Sequence, residues 1–138
     1  MTTFIQTNDS ILLKLILFLF LFFSFTAGMA QSPGEIKRAK LLFEGAWINK
    51  KEARHLTIFI EDDGYVTIND WTGNRKNASV DAYKAFIKNG KLIMHAETEH
   101  HAPYSEIRIS GKMLIYQTGL PHSNQEPLEK IYFIRSKW

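Results

Sequence analysis

Apolar and polar residues alternate with a period of two along most of the chain beyond Gly45, and with a period near 3.6 along the short run before it. In Glu35 to Phe43, the residues Ile36, Ala39, Leu42 and Phe43 fall on one helical face, and the Gly45 that follows is a natural stop, so one short helix is predicted there. Strands come next. Trp47 to Asn49 reads as the first. His55 to Glu61 sets Leu56, Ile58 and Ile60 against His55, Thr57 and Phe59, and Tyr65 to Asp70 returns with Val66 and Ile68 apolar. Asp62-Asp63-Gly64 between them marks a tight hairpin, and pairing Glu61 with Tyr65 puts Ile58, Ile60, Val66 and Ile68 on one face.

The next hairpin is clearer. Val80 to Lys88 and Lys91 to Thr98 flank Asn89-Gly90, a strong two-residue turn signal. Pairing Lys88 with Lys91 gathers Tyr83, Ala85, Ile87, Leu92, Met94 and Ala96 on one face and sends Lys84, Lys88, Lys91, His95 and Glu97 to water. Tyr104 to Ile109 and Lys112 to Thr118 form a third hairpin around Ser110-Gly111, with Ile107, Ile109, Leu114 and Tyr116 inward, and Glu129 to Ser136 is a last strand. The expected class is therefore all-β: an eight-stranded antiparallel up-and-down β-barrel with a short N-terminal helix, the helix at about 35–43 and the barrel at about 45–136. Tight turns alternate with longer connections at Lys50 to Arg54, Trp71 to Ser79, Glu99 to Pro103 and Gly119 to Leu128. In a meander, alternate connections share an end. All the long loops crowd one rim, the kind of mouth at which barrels take small ligands.

The first thirty residues have a different character. Lys14 precedes an apolar run from Leu15 to Phe23, and the small residues Ala27-Gly28-Met29-Ala30 follow. That is the layout of a secretory signal peptide, with cleavage between Ala30 and Gln31. The apolar stretch from Ile11 to Phe25 is shorter than the roughly 20 residues a spanning helix needs. Two regions are expected: a signal peptide at 1–30 and one barrel domain at 31–138, secreted or periplasmic, with no membrane span after cleavage. A net charge of +3 with acidic residues interspersed lacks the basic stripe of a dedicated nucleic-acid binder. There is no cysteine, so no disulfide and no lipid-bearing cysteine. The core alone must hold the domain, which suits a bacterial envelope protein.

Gly45-Ala46-Trp47 at the first strand, with Arg135 near the end of the last, resembles the G-x-W signature of the lipocalins and the arginine that accompanies it. The resemblance covers about residues 35 to 136 and is to short bacterial lipocalin-like domains, calycin-type β-barrels. It implies that Arg135 packs over Trp47 as a structural pair and that a ligand is taken at the open end. Independently of any family, a guanidinium on an indole face gains roughly 0.5–2 kcal/mol and would tie the first strand to the last.

Candidate chemistry is sparse. His95, Glu97 and Glu99 share a strand face, with His100-His101 at the turn and His122 on a neighbouring loop, but ligand spacing such as H-x-x-x-H is absent and no metal site is assigned. Asp62-Asp63 sits at a hairpin tip, where aspartates form turns. With no G-x-S-x-G elbow and no cysteine nucleophile, neither catalytic residues nor a cofactor are assigned. Asp70 is placed inward near the mouth, where it would pair with Arg75 or another cation. Tyr83, Met94, Leu114 and Tyr116 are the expected interior lining, and Trp71, Tyr104 and His122 the rim. The reading is an exported lipocalin-like protein that binds a small, largely apolar ligand at its long-loop end. The alternative is a filled barrel acting as a protein-interaction module or inhibitor in the cell envelope, with a protein partner or a homodimer held through outward Phe59, Phe86, Ile93, Tyr132 and Ile134. Cavity volume separates the two.

Overall fold

A computed structural model of the protein describes residues 31–97, 102–119 and 129–137; the predicted signal peptide and His100, His101 and His122 lie outside them. Helix α1 spans Pro33–Phe43, starting earlier than the apolar periodicity alone suggests. Ser32 caps it, its Oγ accepting the Glu35 N–H at 3.2 Å, and Pro33 has no N–H to leave unpaired in the first turn.

Eight strands follow, β1 (Gly45–Asn49), β2 (Arg54–Ile60), β3 (Val66–Thr72), β4 (Asp81–Lys88), β5 (Lys91–Met94), β6 (Ser105–Ser110), β7 (Met113–Thr118) and β8 (Glu129–Arg135). They pair in sequence order, every neighbour antiparallel, and β1 pairs with β8 to close the barrel. The registers expected for the first two hairpins hold, with Ile60 opposite Val66 and Lys88 opposite Lys91. Asn89 and Gly90 both have positive φ, 51° and 71°, as a type I′ turn requires.

The tight-turn end is plugged. Ile36, Ala39 and Phe43 of α1 are buried against the barrel, in one core with Ile60, Val66, Ile87, Leu92, Leu114 and Phe133. The C-terminus of α1 is tied down by two side chains from the barrel. Trp47 Nε1 donates to the Phe43 carbonyl at 2.8 Å, and Arg135 donates to the Glu44 and Leu42 carbonyls, each at 2.9 Å. The Arg135 guanidinium lies 4.6 Å from the Trp47 ring centroid. One cation therefore neutralises a helix C-terminus, covers an indole and fixes the β1–β8 closure. Gly45 leaves room for it: a Cβ there would come within 3.3 Å of Arg135 Nη1, and its φ of +127° disfavours any side chain.

Candidate functional site

The inward register changes chemistry along each strand. On β2 the inward series Ile60, Ile58, Leu56 ends in Arg54; on β3, Val66 and Ile68 end in Asp70. On β6, Ile109 and Ile107 end in Ser105, and on β7, Leu114 and Tyr116 end in Thr118. The last inward position before the long loops is polar on all four strands. The barrel is an apolar core at the helix end and a polar chamber at the loop end.

Arg54 and Asp70 organise that chamber. Arg54 Nε donates to Asp70 Oδ1 at 3.0 Å and Nη2 donates to Oδ2 at 2.7 Å, a bidentate pair. The guanidinium lies 5.0 Å from the Tyr116 ring centroid, and its Nη1 is 3.7 Å from Glu129. The hydrogen bond to Asp70 raises the Arg54 pKa beyond its already high value, against the opposing effect of burial. Asp70 thus takes Arg54 as its cation; Arg75 sits over the Trp71 ring, 5.3 Å from its centroid. Burial pushes the Tyr116 hydroxyl pKa up, as it does that of Tyr83, with the Asp81 charge adding to the rise at Tyr83. Ser105 and Thr118, both buried, face each other with Oγ and Oγ1 3.5 Å apart.

Two hollows adjoin this chamber. One, of about 580 Å³, is lined by Arg54, Asp70, Trp71, Asp81 and Tyr83 among others. The larger, about 680 Å³, is lined by Tyr83, Met94, Ser105 and Tyr116 together with Asp81, Ala82, Lys84, His95 and Glu97. Its lining includes residues from both faces of β4, so it occupies a seam between β4 and β5 as well as the interior.

That seam results from a short β5. The expected strand to Thr98 stops at Met94, and the ladder with β4 comprises only Phe86–Ile93, Ile87–Leu92 and Lys88–Lys91. Towards the rim, Asp81 to Ala85 pair with β3 alone. On the β6 side, pairing ends at Met94–Ser105 and resumes at Glu97–Ala102, where each donates its N–H to the other's carbonyl. In that register Ala96 falls opposite Pro103, beyond the end of β5, and Ala96, expected inside, is exposed.

Of the residues expected at a ligand site, Tyr83, Met94 and Tyr116 line the larger hollow and Trp71 the smaller, where Trp71 also stacks on His55 at 5.2 Å. Leu114 does not join them. It is fully buried in the core opposite Ile109 and Phe133, near the helix end. Tyr104 faces the outer side of the sheet, donating to Glu106 at 2.9 Å beside His95. His122 lies outside the described residues. The residue pattern alone did not single out Arg54, Ser105 or Thr118, although carrying each strand's inward alternation to its final residue finds them.

On the outer surface, Phe59, Phe86, Tyr132 and Ile134 are exposed, while Ile93, of the same outward parity, is buried between Phe86 and Glu106 in the strand pairing. Ile134 stands opposite both Ile48 and Met113, giving a short apolar row across β1, β8 and β7. Among the described residues, no three of His, Asp and Glu converge to hold a metal ion, and no helix is long and apolar enough to cross a membrane. No protein family, curated protein or solved structure matches the chain. The closed eight-stranded antiparallel barrel is compatible with a calycin-like fold.

Proposed function

We propose that this is an exported, lipocalin-like barrel that binds a small ligand at its long-loop end, the ligand's apolar body lying on Tyr83, Met94 and Tyr116. The observation that carries the reading is the hollow of about 680 Å³ lined by those three side chains, a volume within the usual range for small-molecule sites. Ser105, buried in the wall of the same hollow, gives such a ligand a hydrogen-bonding group to orient on, with the apolar part against the aromatic rings. Export is supported by the apolar run after Lys14 and the small residues before Gln31. An intact mass matching a chain that starts at Gln31 is expected for the protein recovered from its host.

The test is native mass spectrometry of the protein purified from its own host without denaturation. A reproducible extra mass is expected, and Met94→Trp, which puts an indole into the hollow where the ligand's apolar body would lie, should remove it while the variant stays folded. A clean mass in both proteins would refute the ligand reading. A second reading, action through the outer surface, is favoured by the Ile48–Ile134–Met113 row. A dimer in the same spectrum, abolished by Ile134→Lys, would support it.

A further inference from the structure

Among the described residues, the seam between β4 and β5 leaves strand backbone unpaired in an otherwise closed barrel. The type I′ turn at Asn89-Gly90 makes Lys88 and Lys91 a hydrogen-bonded pair, so by alternation Phe86 also turns its N–H and C=O towards β5. The same alternation directs the backbone groups of Lys84 and Ala82 into the seam, where the ladder has already ended, while Asp81, Tyr83 and Ala85 direct theirs to β3. Proteins ordinarily close, cover or charge such an edge, because it is a template for another strand. Here it borders a hollow of about 680 Å³ with Tyr83 and Met94 in its wall.

We propose that the seam takes an extended peptide segment of a partner protein as an added strand, its backbone pairing with Ala82 and Lys84 and its alternate side chains entering the hollow beside Tyr83 and Met94. This rests on the preceding reading of the hollow as a binding site and assigns that site an extended peptide in place of a free small molecule. Strand addition draws affinity from main-chain hydrogen bonds and selectivity from pockets for alternate side chains, and the seam offers both. Charge indicates what flanks the apolar positions. Asp81, at the rim end of β4, lines the hollow and takes part in no ion pair with another described residue. A lysine or arginine next to the paired stretch would complement it. A free small molecule without a backbone would leave the Ala82 and Lys84 groups to water.

The experiment uses the 15N-labelled protein and the blocked heptapeptide acetyl-Lys-Val-Thr-Val-Thr-Val-Lys-amide. Amide exchange at Ala82 and Lys84 is expected to slow by about tenfold or more at saturating peptide, with little change at Tyr83 and Ala85, which already pair with β3. Lys84→Pro removes a seam N–H without removing a bond to β3, and should weaken peptide binding by about tenfold. Should that variant fail to fold, the exchange measurement on the unaltered protein decides alone. Unchanged exchange at Ala82 and Lys84 overturns the proposal, as does undiminished peptide binding by folded Lys84→Pro. Indole, titrated separately while the Met94 methyl signal is followed, separates the two readings. A Met94 shift with indole and no effect of the peptide sinks strand addition and leaves the ligand site standing. No response to either probe, together with a clean native mass, sinks both.

Discussion

Replacing Asp70 by asparagine tests the organisation of the open end most directly. The Asp70 side chain is 8% exposed and that of Arg54 18%, so the pair is largely withdrawn from water. Asparagine keeps the volume and one acceptor oxygen but loses the charge. It leaves the guanidinium under Tyr116 with Glu129, 3.7 Å away and half exposed, as its remaining anion. Breaking a fully buried pair from one side costs about 3–5 kcal/mol, and the residual solvent access of Arg54 lowers this to about 2–3 kcal/mol. Set against a total stability of roughly 5–15 kcal/mol for a domain, that is a large share. Removing both charges is different. Arg54→Leu with Asp70→Leu discards the desolvation cost along with the attraction, so the double variant should stay within about 1 kcal/mol of the parent.

Urea unfolding followed by tryptophan fluorescence gives the free energies, and the cycle of Arg54→Leu, Asp70→Leu and the double variant gives the coupling, expected at about 2 kcal/mol. A loss below about 0.5 kcal/mol for Asp70→Asn, with coupling near zero, would mean that the pair behaves like an exposed one and that the chamber is wet, refuting the argument. The double variant carries a second message. If it folds as stably as the parent yet loses the co-purifying mass, the pair is retained for the ligand and not for the fold.

Three further outcomes are expected. Arg135→Met should cost about 1–3 kcal/mol, combining the lost ring contact with the lost helix-capping bonds, and should speed amide exchange at the α1 C-terminus more than on β4 and β5; equal acceleration everywhere would remove its assigned role as a local clamp. Gly64→Ala combines a φ of +88° with a Cβ that would fall on the buried Oε1 of Gln31, so it should cost more than about 1 kcal/mol; adding Gln31→Gly should recover the steric part but not the backbone part, as read by thermal unfolding. Burial, with the hydrogen bond to Glu106, pushes the Tyr104 hydroxyl up to about 12. Because this folded-state value is raised, its stabilising effect is intact below the ordinary tyrosine value of about 10 and is lost as pH rises towards the folded value. At Glu106, burial acts upward, but the hydrogen bonds from Lys91 and Tyr104 outweigh it and lower the pKa. That contribution is present above the ordinary carboxylate range and lost as pH falls through the lowered value. Glu106→Gln should bring the Tyr104 midpoint down part of the way, leaving the share due to burial, as followed by its ring NMR signals; an unmoved midpoint would break the linkage between the two.

The closed end was readable from the sequence because every local signal there agrees. Asn89-Gly90 fixes a turn, the turn fixes the register, and the register puts Ile87 and Leu92 on the face that alternation already marks as inner. The Trp47–Arg135 pairing was also legible, since two residues at opposite ends of the chain meet wherever the first strand closes on the last. Boundaries were less secure. Alternation carries β5 through Ala96, and nothing in His95-Ala96 itself interrupts it. The ladder ends at Met94–Ser105 and resumes only at Glu97–Ala102, a pairing with a neighbouring segment that a strand read in isolation does not contain.

The open end was partly hidden for a related reason. Arg54 reads as loop because it follows the charged stretch Lys50-Lys51-Glu52, and a charged residue at the end of a strand normally points to water. Its inward direction follows only from counting back from Ile60, Ile58 and Leu56, and its tolerance there depends on Asp70 two positions past Ile68 on the paired strand, where Leu56 and Asp70 stand opposite one another. Neither residue is comfortable in that place without the other, so each looks like an exception until the register brings them together. A barrel designed only for stability would end its inner rows in more isoleucine. This one ends them in an ion pair and two hydroxyls beside an unsealed seam, a departure from local consistency of the kind that proteins concentrate at their functional sites.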